Sequence, residues 1–172
     1  MPSIIIACCG DTNRGAGRQS GKFPDPLLSL AGQEQATRMA LELKRDQDIA
    51  IKRIACSGRT NAYQTALVMA LVLDIPMSAI RRDERLDECA FGRATNQVRA
   101  TIPYDFSRAG GEDHLMVLAR HLSVMLEHGH GMLDSAKTGL LLVGHSLGLK
   151  TLSNHFRQPG ELAPGQYRLL RL

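Results

Sequence analysis

The sequence predicts an α/β sandwich with a mainly parallel central sheet, folded as one domain over residues 1–172. Three observations carry that expectation. Short apolar runs (Ile4 to Ala7, Ile51 to Cys56 and Gly139 to Val143) each stop at glycine or polar residues, as interior strands buried on both faces do. Segments of helical length and amphipathic spacing separate them, which is the pattern of βαβ units. A chain of 172 residues, 44% hydrophobic and 22% charged, can bury one stable core and is neither disordered nor fibrous in composition.

Taken in order, the first strand ends at Cys8-Cys9-Gly10 and opens into a glycine- and arginine-rich loop over 13–26. A helix over 29–45 follows, with Ser29 as N-cap and Ala36, Met39, Ala40 and Leu43 on its inner face. The second strand, 51–56, runs through Ser57-Gly58-Arg59-Thr60 into an apolar helix over 61–73, expected to be buried. A charged stretch leads to Leu86-Asp87-Glu88, and a Gly/Pro/Ser-containing insertion occupies 92–111. Residues 114–128 read as a helix with Leu115, Leu118, Leu122, Met125 and Leu126 facing inward. The strongest strand, 139–143, breaks at Gly144-His145-Ser146 before a short helix, and 166–172 reads as an edge strand.

Composition narrows the function classes. The net charge of +4 is dispersed in short basic clusters among acids, without aromatic interleaving, so no nucleic-acid platform is expected. Cys8, Cys9, Cys56 and Cys89 lack metal-site spacing, and the Cys8-Cys9 pair is too strained for a disulfide. His128 and His130 read as a helix end, so no metal is expected. With no leader signature and no apolar run of membrane length, the expectation is a reduced, cytoplasmic protein without a membrane partner.

Parallel sheets place ligand sites beyond the carboxyl ends of their strands, and three such junctions carry candidate chemistry. Cys8 and Arg14, with five residues between them, resemble the phosphate loop of the low-molecular-weight tyrosine phosphatases, which would make Cys8 the nucleophile. Gly144-His145-Ser146-Leu147-Gly148 resembles the nucleophile elbow of the α/β-hydrolases, although that fold needs its acid and histidine after the serine and only 26 residues follow Ser146.

The third resemblance covers most of the chain. Cys8-Cys9-Gly10-Asp11-Thr12, the stretch Arg18 to Ala36, Ser57 to Ala66, Leu86-Asp87-Glu88, Gly111-Glu112 and Val143 to Ser146 are similar, in this order, to six blocks of the histidine phosphatase superfamily, also called phosphoglycerate mutase-like. The resemblance implies a three-layer sandwich and a site where a histidine attacks phosphorus, arginines and a second histidine hold the phosphoryl oxygens, and an acid protonates the leaving group. Here the nucleophile position holds Cys9, and the two arginine positions hold Cys8 and Asn61. The acid, Glu88, and the second histidine, His145, are kept. Without both guanidinium forks the main electrostatic clamp for phosphoryl transfer is gone.

Each altered residue has two readings. Cys9 is either a thiolate nucleophile or acid/base group facing His145, or an inert filler. Cys8 fills space or serves the alternative phosphatase loop. Glu88 is a proton donor or a turn cap. Arg14, Arg18 and Arg59, with Asn61 and Ser146, are candidate ligand-binding residues, the arginines restoring an anion site or simply facing water. The expectation is a repurposed enzyme built on Cys9, Glu88 and His145. It acts on a small anionic, possibly phosphorylated metabolite, by hydrolysis, isomerisation or group transfer, with no cofactor. The rivals are a non-catalytic pseudophosphatase that binds a phospho-ligand or a protein, and a Cys8-dependent phosphatase. Nothing in the sequence fixes the oligomeric state.

Overall fold

The computed structural model describes residues 3–14, 25–45, 49–95, 106–130 and 138–170. Its five strands are β1 (Ser3–Cys8), β2 (Ala50–Ser57), β3 (Ile80–Asp83), β4 (Thr138–Gly144) and β5 (Tyr167–Leu170). Its α-helices are α1 (Leu30–Arg45), α2 (Thr60–Val72), α3 (His114–Gly129) and α4 (Ser146–His155). The sheet order is β3-β2-β4-β1-β5, with every neighbouring pair parallel except β1 and β5.

Strand alternation explains the layers. On β4, Leu141 and Val143 join Ile5, Ala7, Ile54 and Cys56 in a core closed by Met39 of α1 and Met69 of α2. Leu140 and Leu142 face the other way, with Ile4, Ile6, Cys8 and Ala55, and are covered by Val124 of α3 and Leu149 of α4. Both faces of β1 and β4 are thus buried, as is β2 from Ile54 onward, which is why β1 and β4 read as continuous apolar runs.

The first helix begins as its sequence dictates. Ser29 Oγ accepts the Gly32 N–H at 3.0 Å and donates to the Asp11 carbonyl at 3.0 Å, so the N-cap also ties the helix to the loop after β1. That loop lies backbone to backbone on α1: a Cβ on Gly10 would come 2.4 Å from the Gly32 carbonyl oxygen, and one on Gly32 would come 2.2 Å from that of Asp11. The tail forms the expected edge strand, antiparallel to β1.

Three features differ from expectation. Leu115 and Leu126 are exposed, at 62% and 69%, while Met125 is buried and Leu118 and Leu122 pack against the core as expected, and α3 also buries Val117, His121, Val124 and Gly129. In α2, Leu71 is 72% exposed, so only one face of that apolar helix is buried. β3 was hidden in a charged stretch because Arg81 and Arg82 belong to a four-residue edge strand that solvent reaches. Of the expected insertion, 92–95 and 106–111 are described, where Phe91 stacks edge-on against Phe106 at 4.7 Å between ring centres. No helix among the described residues is long and apolar enough to cross a membrane.

Candidate active site

Strand register brings the chemistry together. Cys8 pairs with Gly144 and Cys56 with Val143, so Cys9, Ser57 and His145 emerge side by side at the carboxyl ends of β1, β2 and β4. The Cys9 amide donates to the Gly144 carbonyl at 2.9 Å, extending the β1–β4 ladder by one bond and fixing Cys9 against His145. The Gly10 amide donates to Thr65 Oγ1, which docks the next residue on α2.

Cys9 Sγ lies 3.5 Å from His145 Nδ1 and accepts the Asn61 Nδ2–H at 3.1 Å. On its other nitrogen, His145 Nε2 is 3.0 Å from Ser57 Oγ, and Ser57 Oγ donates to Asp87 Oδ1 at 2.6 Å. A carboxylate only accepts, so the Ser57 proton points at Asp87 and the serine oxygen accepts from His145 Nε2–H. The proton on Nε2 is thereby fixed, and Nδ1 is the nitrogen free to exchange a proton with sulfur. Asp87, 6% exposed, is itself held by the Gly58 amide at 2.9 Å, and Ser57 is fully buried.

The electrostatics follow from these contacts. A hydrogen bond from the Cys8 thiol is the strongest influence on Cys9. Burial opposes it, and the charge and hydrogen bond of His145 reinforce it, so the Cys9 thiol titrates well below the ordinary thiol range. Burial disfavours the His145 imidazolium, but the charge and hydrogen bond of Cys9, then Glu88 and Asp87, outweigh it and raise the histidine to about 9. Both shifts favour the thiolate–imidazolium form of the pair. By contrast, burial pushes Cys56 and Cys89 up to about 12, and both are inert thiols.

Glu88 follows Asp87 on the same loop and accepts the Cys89 amide at 2.9 Å. Burial raises its carboxyl above the usual range, against the pull of the His145 charge and that amide. The loop is held from behind by Arg120, which donates to Glu112 through Nε and Nη2 at 2.8 and 3.0 Å and to the Arg85 and Asp87 carbonyls at 2.6 and 2.7 Å. Glu112 in turn accepts the Ala90 amide at 2.8 Å.

Cys9, Asn61 and His145 are thus in contact, and Glu88 is coupled to them by charge. Cys8, 2% exposed, packs with Ile4, Ile6 and Leu142 while its thiol serves Cys9. Arg59 precedes α2, its Nη2 3.4 Å from Asp25 Oδ1, and Asp25 also caps α2 through Thr60. Arg14 is exposed, Ser146 is the half-buried first residue of α4, and Arg18 lies outside the described residues. His128 is engaged by Asp83, with Nε2 3.2 Å from Oδ2. Sequence reasoning did not single out Ser57 and Asp87 as site residues. For Ser57 the available signal was its position after Ile54-Ala55-Cys56 at a strand end, whereas Asp87 follows a charged stretch that carries no such signal.

Residues 4–168 match the histidine phosphatase superfamily, branch 1. Among solved structures, a mycobacterial hydrolase shares 22% identity at a TM-score of 0.77, covering 96% of this chain and 80% of that one. A mycobacterial glucosyl-3-phosphoglycerate phosphatase in complex with VO3 shares 22% identity at 0.75, covering 97% and 91%. Bacillus stearothermophilus YhfR shares 22% at 0.69, covering 93% and 82%. No curated protein matches the sequence significantly.

Proposed function

The chain belongs to the histidine phosphatase superfamily, and from that premise we propose that it is a thiol-dependent group-transfer enzyme acting on a small anionic metabolite. The observation that carries this reading is the contact of Cys9 Sγ with both His145 Nδ1 and Asn61 Nδ2, backed by Ser57 and Asp87. An inert filler needs none of these partners, whereas a nucleophile needs a base and an orienting group in series.

In the proposed cycle the Cys9 thiolate bonds to the electrophilic atom of the substrate as the bond to the leaving group breaks. The Glu88 carboxyl gives its proton to the departing atom. Water then attacks the sulfur-bound group, Glu88 takes up the water proton, and the bond to sulfur breaks to return the thiolate. A carboxyl raised by burial suits the first role and its conjugate base the second.

Support for an anionic substrate comes from the positive ends of two helices, since Asn61 lies in the first turn of α2 and His145 is the residue that opens α4. The test is alkylation of the reduced protein by iodoacetate. Cys9 is expected to be carboxymethylated in a saturable reaction that inorganic phosphate slows, and Cys9→Ala removes the label. Non-saturable labelling, indifferent to phosphate and spread over several cysteines, would reject an anion-binding thiolate site.

A further inference from the structure

Resting on that reading of Cys9 as the nucleophile, we infer that the group it transfers is an acyl group, so that the reacting bond of the substrate is a carboxylic ester or thioester. Three observations favour carbon over phosphorus as the atom attacked.

The first is the order of contacts. Sulfur, imidazole, hydroxyl and carboxylate follow one another from Cys9 through His145 and Ser57 to Asp87, at 3.5, 3.0 and 2.6 Å. A nucleophile, a base and an orienting acid in series are the working parts of acyl-transfer sites on unrelated folds. Here Ser57 is interposed, and it passes the orienting effect of Asp87 to Nε2.

The second is Asn61. Its Nδ2 is 3.1 Å from the sulfur, so once Sγ bonds to a carbonyl carbon the carbonyl oxygen falls within reach of the same amide. A single neutral donor matches the one negative oxygen of a tetrahedral intermediate. Phosphoryl transfer spreads charge over three equatorial oxygens and calls for cationic forks.

The third is charge. Arg59 is paired with Asp25, and Arg120 is paired with Glu112 and two backbone carbonyls. Asp87 lies on the loop at the site edge, where its carboxylate opposes a phosphate dianion but leaves a neutral carbonyl indifferent.

The step balances. The thiolate adds to the carbonyl carbon, the oxygen takes the electron pair and is held by Asn61, and the pair returns as the leaving oxygen or sulfur departs with the Glu88 proton. The S-acyl Cys9 is then hydrolysed, giving a carboxylate and the free thiolate.

The experiment mixes the full-length reduced protein with p-nitrophenyl acetate, or with p-nitrophenyl phosphate, and maps acid-quenched peptides by mass. The expected result is a nitrophenolate burst of one equivalent with the ester, an acetyl group on Cys9, and little reaction with the phosphate. Asn61→Ala is expected to slow acylation about a hundredfold. It should change iodoacetamide alkylation, which builds no oxyanion, far less when both proteins are compared as thiolates. Rapid alkylation of Cys9 without acylation, or Cys9-dependent turnover of the phosphate alone, overturns the acyl assignment and leaves the thiolate reading standing. No reaction of Cys9 with any reagent overturns both. Cys9 mapping in the parent protein decides the matter even where Asn61→Ala fails to fold.

Discussion

Through the Ser57 hydroxyl, Asp87 decides which nitrogen of His145 carries the fixed proton. Its carboxylate orders the Ser57 hydroxyl, the hydroxyl orders Nε2–H, and Nδ1 is left facing Cys9. Asp87→Asn removes a negative charge that helps to hold the imidazolium, so the Cys9 alkylation profile is expected to move to higher pH while Asp87→Glu retains more of the parent behaviour. An unchanged profile in Asp87→Asn would mean that the carboxylate is only a turn cap. At this scale much of the site was readable in the sequence. Cys9 and His145 stood at strand ends, while Glu88 and Asn61 stood in resembling blocks, Asn61 in the place of an arginine. Ser57 and Asp87 were not readable as functional, because their roles exist only through hydrogen bonds that cross from β2 to the loop after β3. Arg59 was readable as a cation, but its pairing with Asp25, 34 positions away in the chain, was not.

At the scale of elements, the packing of α3 on α4 explains both a misread helix face and a misleading motif. His121, fully buried, donates Nδ1–H to the Val117 carbonyl at 2.8 Å, and its Nε2 has no hydrogen-bond partner among the described residues. That ring lies against Gly148, where an added Cβ would come 2.3 Å from Nε2. The second glycine of Gly144-His145-Ser146-Leu147-Gly148 therefore makes room for a histidine. Leucine periodicity alone pointed to Leu115 and Leu126, but the buried stripe runs through His121, a residue that hydrophobic patterning discounts. Gly148→Ala is expected to cost about 1–3 kcal/mol of stability by overpacking, read as a lower melting midpoint. Burial also lowers His121 from 6.5 to about 4. Between those values the unfolded chain binds a proton that the folded chain refuses. Stability therefore falls as pH drops through that window, by about 3 kcal/mol from this group. Denaturant melts at successive pH values check this, and an acid slope unchanged in His121→Asn would contradict it.

On the scale of the whole molecule, the parallel sheet explains why so few residues define the site. The strands β1, β4, β2 and β3 run in the same direction, so their ends and the loops after them deliver every contacting group to one edge. The apolar runs made that architecture readable from the sequence, since their burial on both faces follows from composition. The fold is shared at 22% identity with a phosphatase, and the proposed thiol chemistry rests on the charge state that the strand ends impose on Cys9. The most direct measurement is therefore the pH dependence of Cys9 alkylation by iodoacetamide in the parent and in His145→Ala. The account predicts that the parent rate stays high well below the ordinary thiol value of 9.0 and that His145→Ala loses about tenfold at neutral pH as its profile moves upward. A parent thiol that titrates near 9.0, with a profile indifferent to His145, would contradict it.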